Sequence, residues 1–155
     1  MLARLLELRE RLLEVTAALA WLPPLLARIS VGLTFVSTGW GKLHNLDHVI
    51  AFFTKLGIPF PQYQAPFVAM TEFSCGTLLA LGLLTRGVAL PLIGTMGVAI
   101  ATAIWPELDG PVDLLGREEF LFVVLLVWLA LAGGGPISLD GLLLRAAGAR
   151  SVARA

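Results

Sequence analysis

APFVAMTEFSCGTLLALGLL, Ala65 to Leu84, is a run long enough to cross a bilayer, and it carries one charge, Glu72. About 20 residues at 1.5 Å each span the hydrocarbon of a membrane. An ionisable side chain at that depth costs roughly 2.5–3.5 kcal/mol on insertion scales, so it calls for a partner and a reason to be there. The rest of the chain agrees with a membrane setting. It has 155 residues, of which 57% are hydrophobic and 14% charged. A soluble domain carries about 25% charged residues. Mean hydropathy is +0.87. The net charge is zero, which leaves no basic face for nucleic acid. A single cysteine, Cys75, excludes an internal disulfide and a Cys-x-x-Cys redox pair.

Three further apolar segments, 25–43, 87–105 and 119–133, flank the first. The expected fold is all-α: an integral membrane four-helix bundle with an N-terminal amphipathic surface helix. In that helix, residues 1–22, Leu2, Leu5, Leu6, Leu12 and Leu13 share a stripe, with Arg4, Glu7, Arg9, Glu10, Arg11 and Glu14 elsewhere. Interleaved charge of this kind is not a signal-peptide core. Residues 23–143 form the four-span domain and 144–155 a tail. Between the first two spans, Asp47 is expected to cap a short helix ending at Gly57 before Pro59. Ser138 is the candidate cap of a last helix. Pro91 predicts a kink in the third span. Gly32, Gly39, Gly41, Gly94, Gly97 and Ala101 predict close helix contacts. Trp21, Trp40 and Trp105 read as an interfacial belt and Trp128 as packing.

Basic residues orient the bundle. Arg4, Arg9, Arg11, Arg28, Arg86, Arg145, Arg150 and Arg154 fall on one side; Lys42, Lys55 and Arg117 fall on the other. The positive-inside rule then places both termini in the cytoplasm. Span one runs outward and ends at Lys42. Span two runs inward, so Glu72 lies roughly 10 Å below its outer start. Lys42, Glu72, Glu119 and His44 are therefore expected to converge in a polar pocket open to the outside. Lys42 and Glu72 are the candidate reacting pair; His44, Glu119, Arg28 and Arg86 are candidate ligand contacts. Burial favours a neutral carboxyl and a lysine neighbour favours a charged one, and their balance decides whether Glu72 exchanges a proton. A plain structural ion pair that fixes helix register is the alternative. His44 and His48 are spaced i, i+4, but two histidines do not make a metal site, and none is assigned. Cys75, one turn from Glu72, reads as packing rather than as a redox thiol.

The ordered motifs resemble one family. The first span reads Arg28-x3-Gly32-x2-Phe35-x3-Gly39-x2-Lys42, and the loop Leu56-Gly57-Ile58-Pro59-x-Pro61. Then follow Glu72-Phe73, Gly76, Leu81-Gly82-Leu83-Leu84-Thr85-Arg86, Glu119-Phe120 and Gly135-Pro136-x-Ser138-Leu139-Asp140. From about residue 25 to 143 the chain resembles the DoxX family of small bacterial and archaeal membrane proteins. It departs from the family at Ser74-Cys75, where small or aliphatic residues are common.

The resemblance implies a four-helix fold in the cytoplasmic (inner) membrane. It also implies an association with quinone-linked sulfur oxidation or with oxidative-stress and thiol-handling enzymes. The expected function is thus the membrane subunit of a redox system, handling quinone or a small sulfur or thiol species at the outward pocket. Quinone would be an exchangeable partner, because the sequence has no flavin, haem-attachment or iron–sulfur motif. Expected partners are the lipid bilayer and cytoplasmic or membrane redox subunits. Two rivals stand beside this reading. One is a carrier of a small solute or metal, which with four helices calls for a homo-oligomer. The other is a scaffold that anchors cytoplasmic enzymes through its terminal segments.

Overall fold

The computed structural model describes residues 2–152, and the side-chain surroundings of 4, 5 and 7–146. Readings that rest on the side chains of Leu2, Leu6, Arg150 and Arg154 lie outside the described residues. The described chain is all-α, with helices α1 (Leu2–Ala18), α2 (Leu22–His44), α3 (Leu46–Lys55), α4 (Pro61–Leu81), α5 (Thr85–Ala99), α6 (Glu118–Ala132) and α7 (Leu139–Val152).

Helices α2, α4, α5 and α6 enclose one core. Val31 and Phe35 of α2, Leu79 of α4, Leu92 of α5, and Leu126 and Leu129 of α6 meet there. The tightest pair is α2 with α4. Buried positions recur along α4 at Ala65, Ala69, Glu72, Gly76 and Leu79, alternating steps of four and three that keep one face inward. Gly39 of α2 lies against Ala69 and Phe73, and Gly32 lies against Gly76 and Ala80, so the two helices run antiparallel. The backbones nearly touch: a Cβ on Gly39 would sit 2.5 Å from the Phe73 nitrogen and 2.9 Å from the Ala69 oxygen. Small residues permit this approach, as in helix pairs within membranes.

The structure meets some expectations only in part and corrects others. The four long apolar segments are all helical, but among the described residues one continuous run, Thr85–Glu107, is long and apolar enough by itself to cross a membrane. The pair Glu7–Ala18 and Leu22–His44 passes only together, bent by 41° at the break. Helix α6 has 15 residues, which is short for a span. Helix α4 is diluted by Gln62, Gln64 and Glu72. Pro91 lies within α5. The change in winding comes later, as a π-helical turn at Ile100–Ile104 where Trp105 donates to the Ile100 carbonyl, just before Pro106. Asp47 does not cap α3: Asn45 holds that position and Asp47 sits in the first turn, where its charge still suits the helix dipole. Gly41, Gly94 and Gly97 would meet nothing within 4 Å as alanines, so they make no close contact. Trp128 is 38% exposed, because Leu126 and Leu129 take the buried face of α6.

The far end of the bundle is closed by the turn after α6. The Asp140 carboxylate, at the start of α7, accepts from Leu84 N at 2.8 Å and Thr85 N at 3.0 Å. These are the otherwise unpartnered amides at the start of α5, where an anion is favoured. Leu84 is held at φ 52, an unusual conformation for a side chain with a Cβ. Asp140 N in turn donates to the Gly82 carbonyl at 3.0 Å. Gly82 itself has φ +71, and a Cβ there would collide with the Arg28 guanidinium, so only glycine fits. Ser138 caps α7 as expected, accepting from Gly141 N at 3.0 Å. Asp140→Ala is expected to destabilise the protein by about 0.5–2 kcal/mol, the range for a lost helix cap. Thermal unfolding in detergent, followed by circular dichroism, measures it; Asp140→Asn should fall between Ala and the parent.

Candidate functional site

Lys42 and Glu72 meet as the sequence predicts. They face each other because Gly39, one turn before Lys42, lets α2 close onto α4 beside Phe73. The Lys42 ammonium donates to Glu72 Oε1 at 2.5 Å. A third residue completes the site: the Thr38 hydroxyl lies 3.0 Å from Glu72 Oε2. Both carboxylate oxygens are therefore bonded within the protein, as burial demands. The two ends of the pair differ in access. The Glu72 side chain is 1% exposed and that of Lys42 is 30% exposed. The lysine is the open end of the pair, and its long stem lets the head reach outward.

Thr38 is absent from the residues expected to form the site. Its signal was available: it lies four residues before Lys42, so the two share a face of α2. Asp140 stands in the sequence within the motif Gly135-Pro136-x-Ser138-Leu139-Asp140 and outside the expected site. Its role at α5 depends on a contact between residues more than fifty apart, which spacing does not reveal.

The remaining candidates separate. His44 is exposed, and its Nδ1 lies 2.9 Å from the Trp40 carbonyl. A carbonyl only accepts, so Nδ1 carries the hydrogen. The ring also packs on Trp40, centroid to centroid 4.1 Å. Glu119 is half-buried in the first turn of α6. Neither His44 nor Glu119 bonds to Lys42 or Glu72 among the described contacts. No group of three His, Cys, Asp or Glu side chains that could hold a metal occurs among the described residues.

Arg28 and Arg86 lie at the opposite end of the bundle. Arg28 is 4% exposed. Its guanidinium donates to the carbonyls of Ile137 and Ala80, tying α2 to α4 and to the turn before α7. Its Nε has no partner among the described residues. That is an internal strut rather than an accessible ligand contact. Arg86 is exposed beside the Gly133 backbone, at a cleft of about 690 Å³ lined also by Gly134, Asp140 and Leu144. A second cleft, about 550 Å³, lies between the π turn and α6, against Gly97, Trp105 and Phe120. A third, about 250 Å³, follows the leucines of α1. None of the three is lined by Glu72 or Lys42.

The profile of the DoxX family matches residues 24–105. An inner membrane protein of Escherichia coli, YphA, is 31% identical over 123 residues, covering 75% of this chain and 86% of the relative. An uncharacterized membrane protein of Mycobacterium tuberculosis is 37% identical over 125 residues, covering 73% and 76%. A second Escherichia coli inner membrane protein, YqjF, is 30% identical over 122 residues, covering 77% and 90%. No solved structure matches the chain.

Proposed function

Since the chain belongs to the DoxX family of membrane proteins, we propose that it is a four-span subunit of a redox system in the bacterial inner membrane, with Lys42 and Glu72 as its reacting pair. Both termini face the cytoplasm in this reading, and the Lys42 end of the bundle faces outward. The observation that carries it is the sealed carboxylate. Glu72 is 1% exposed, in a chain that inserts in lipid, and its counter-charge is a lysine with access to solvent. Such a group is costly to keep and is a functional candidate by default. Its chemistry is that of a proton acceptor with a mobile cation beside it. The substrate class, quinone or a small sulfur or thiol species, comes from the family resemblance. Electrons would pass to a partner subunit.

The test is equilibrium binding of a soluble quinone analogue and of thiosulfate to purified protein in nanodiscs. The parent is expected to bind one of them. Glu72→Gln and Lys42→Met should each weaken that binding about tenfold or more, the worth of one charged hydrogen bond. Equal binding by all three proteins would remove the support for this reading.

A second reading has its own observation. Leu5, Leu8 and Leu12 of α1 and Leu142, Leu143 and Leu144 of α7 are exposed. In the proposed topology both helices sit at the cytoplasmic surface. The bend of 41° between α1 and α2 turns α1 away from the span it precedes, which suits a helix lying in the interface. A scaffold that docks cytoplasmic enzymes would use the same leucines.

A further inference from the structure

We propose that Thr38 is a positioning residue that holds the Glu72 carboxyl in both of its protonation states. This makes Glu72 an exchangeable proton site rather than one half of a fixed salt bridge. The proposal deepens the reading of Lys42 and Glu72 as a reacting pair and rests on it.

The geometry at the hydroxyl carries the argument. Thr38 Oγ1 lies 3.0 Å from Glu72 Oε2 and 3.2 Å from the Phe35 carbonyl oxygen. A threonine hydroxyl has one hydrogen to donate and lone pairs with which to accept. Two acceptors therefore compete for one hydrogen. When Glu72 is ionised the hydrogen goes to Oε2, because a charged acceptor makes the stronger bond. When Glu72 is protonated, Oε2–H donates to Thr38 Oγ1, and the threonine hydrogen turns to the Phe35 carbonyl. That carbonyl is the ordinary resting acceptor of a helical threonine three residues on. In both states Oε2 and the Thr38 hydroxyl keep a partner, so that edge of the buried carboxyl carries no cost of an unmade bond; Oε1 alone gives up its donor when Lys42 leaves.

Charge balances as well. One proton enters from water at the Lys42 end and makes Glu72 neutral. The Lys42 ammonium keeps its own three protons and swings its head into water. One positive charge goes in as another goes out. The ionisable groups on the elements packed against α4 are few. Helix α2 brings Lys42, the exposed His44 held to the Trp40 carbonyl, and Arg28 at the far end; α3 carries Asp47, His48 and Lys55, all exposed; α5 carries Arg86 at the far end. Lys42 is the one that bonds to Glu72 among the described residues.

The experiment is infrared difference spectroscopy of the full chain in nanodiscs, cycled between neutral and acid buffer. The Glu72 carboxyl band is isolated by subtracting the Glu72→Gln spectrum. Expected for the parent is a band that appears on acidification at the frequency of a hydrogen-bonded acid, and that vanishes on return. Thr38→Val should move it to the higher frequency of an acid without an acceptor, and Thr38→Ser should bring it back. A Thr38→Val band at the parent frequency overturns the proposal. So does a parent with no reversible Glu72 band while helicity is retained. Should ligand binding prove indifferent to Glu72→Gln while the band still cycles and follows Thr38, the ligand reading fails and this one stands.

Discussion

Replacing Lys42 with methionine is expected to destabilise the protein by about 3–5 kcal/mol, the cost of leaving one member of a buried ion pair alone. Replacing Glu72 with leucine should cost clearly less. The asymmetry follows from access. Glu72 is 1% exposed and cannot itself resolvate in the folded state, whereas Lys42 is 30% exposed and can carry its head outward. Without Lys42, the carboxylate keeps only the Thr38 hydroxyl; without Glu72, the ammonium resolvates. The double variant should recover much of the Lys42→Met loss, because a pair of apolar residues in place of a buried pair is often neutral. Denaturant unfolding of the four proteins in mixed micelles measures all of this as one double-mutant cycle. Equal losses for the two single variants would show that Glu72 also reaches solvent.

The second large effect is expected at Gly39. Alanine there places a methyl group 2.5 Å from the Phe73 nitrogen and 2.9 Å from the Ala69 oxygen, both backbone atoms of α4. Backbone cannot rotate aside as a side chain can, so α2 and α4 must separate. Overpacking of this kind costs about 1–3 kcal/mol or more. The damage reaches the site as well, since Lys42 lies three residues on and Glu72 adjoins Phe73. Gly39→Ala should therefore lower the melting temperature and loosen the Lys42–Glu72 contact, the latter seen as faster amine modification of Lys42. Gly41→Ala is the control: its Cβ meets nothing within 4 Å, and it should leave both readouts unchanged. A Gly39→Ala protein as stable as the parent would contradict the tight α2–α4 packing.

How much of this was legible beforehand divides along physical lines. The helices were legible because apolar runs bounded by Pro23-Pro24, Pro59 and Gly133 mark their own ends. The Lys42–Glu72 pair was legible because a charge at membrane depth narrows its partners to the nearest opposite charge. Close packing at Gly39 and open space at Gly94 were not separable, since both are glycines in apolar helices and only the neighbour decides. Asp47 failed as a cap because Asn45, two residues earlier, already ends the preceding helix and opens the next. The convergence of Glu119 and His44 on Glu72 was inferred from depth alone. Depth fixes position along the bundle axis and leaves the angle around it free, which is how both come to bond elsewhere or not at all.

The shared core between the two polar ends has an electrical consequence. Val31, Phe35, Leu79, Leu92 and Leu126 fill the space between the Thr38–Glu72 level and the Arg28–Asp140 level. Under the proposed reading, a proton taken up by Glu72 would meet hydrocarbon on its far side and leave by the way it came. A complete cycle at this site would then move no net charge through the membrane, and the transmembrane voltage would do no work on it. The protein would act on chemistry delivered to one face, as a terminal and not as a pump.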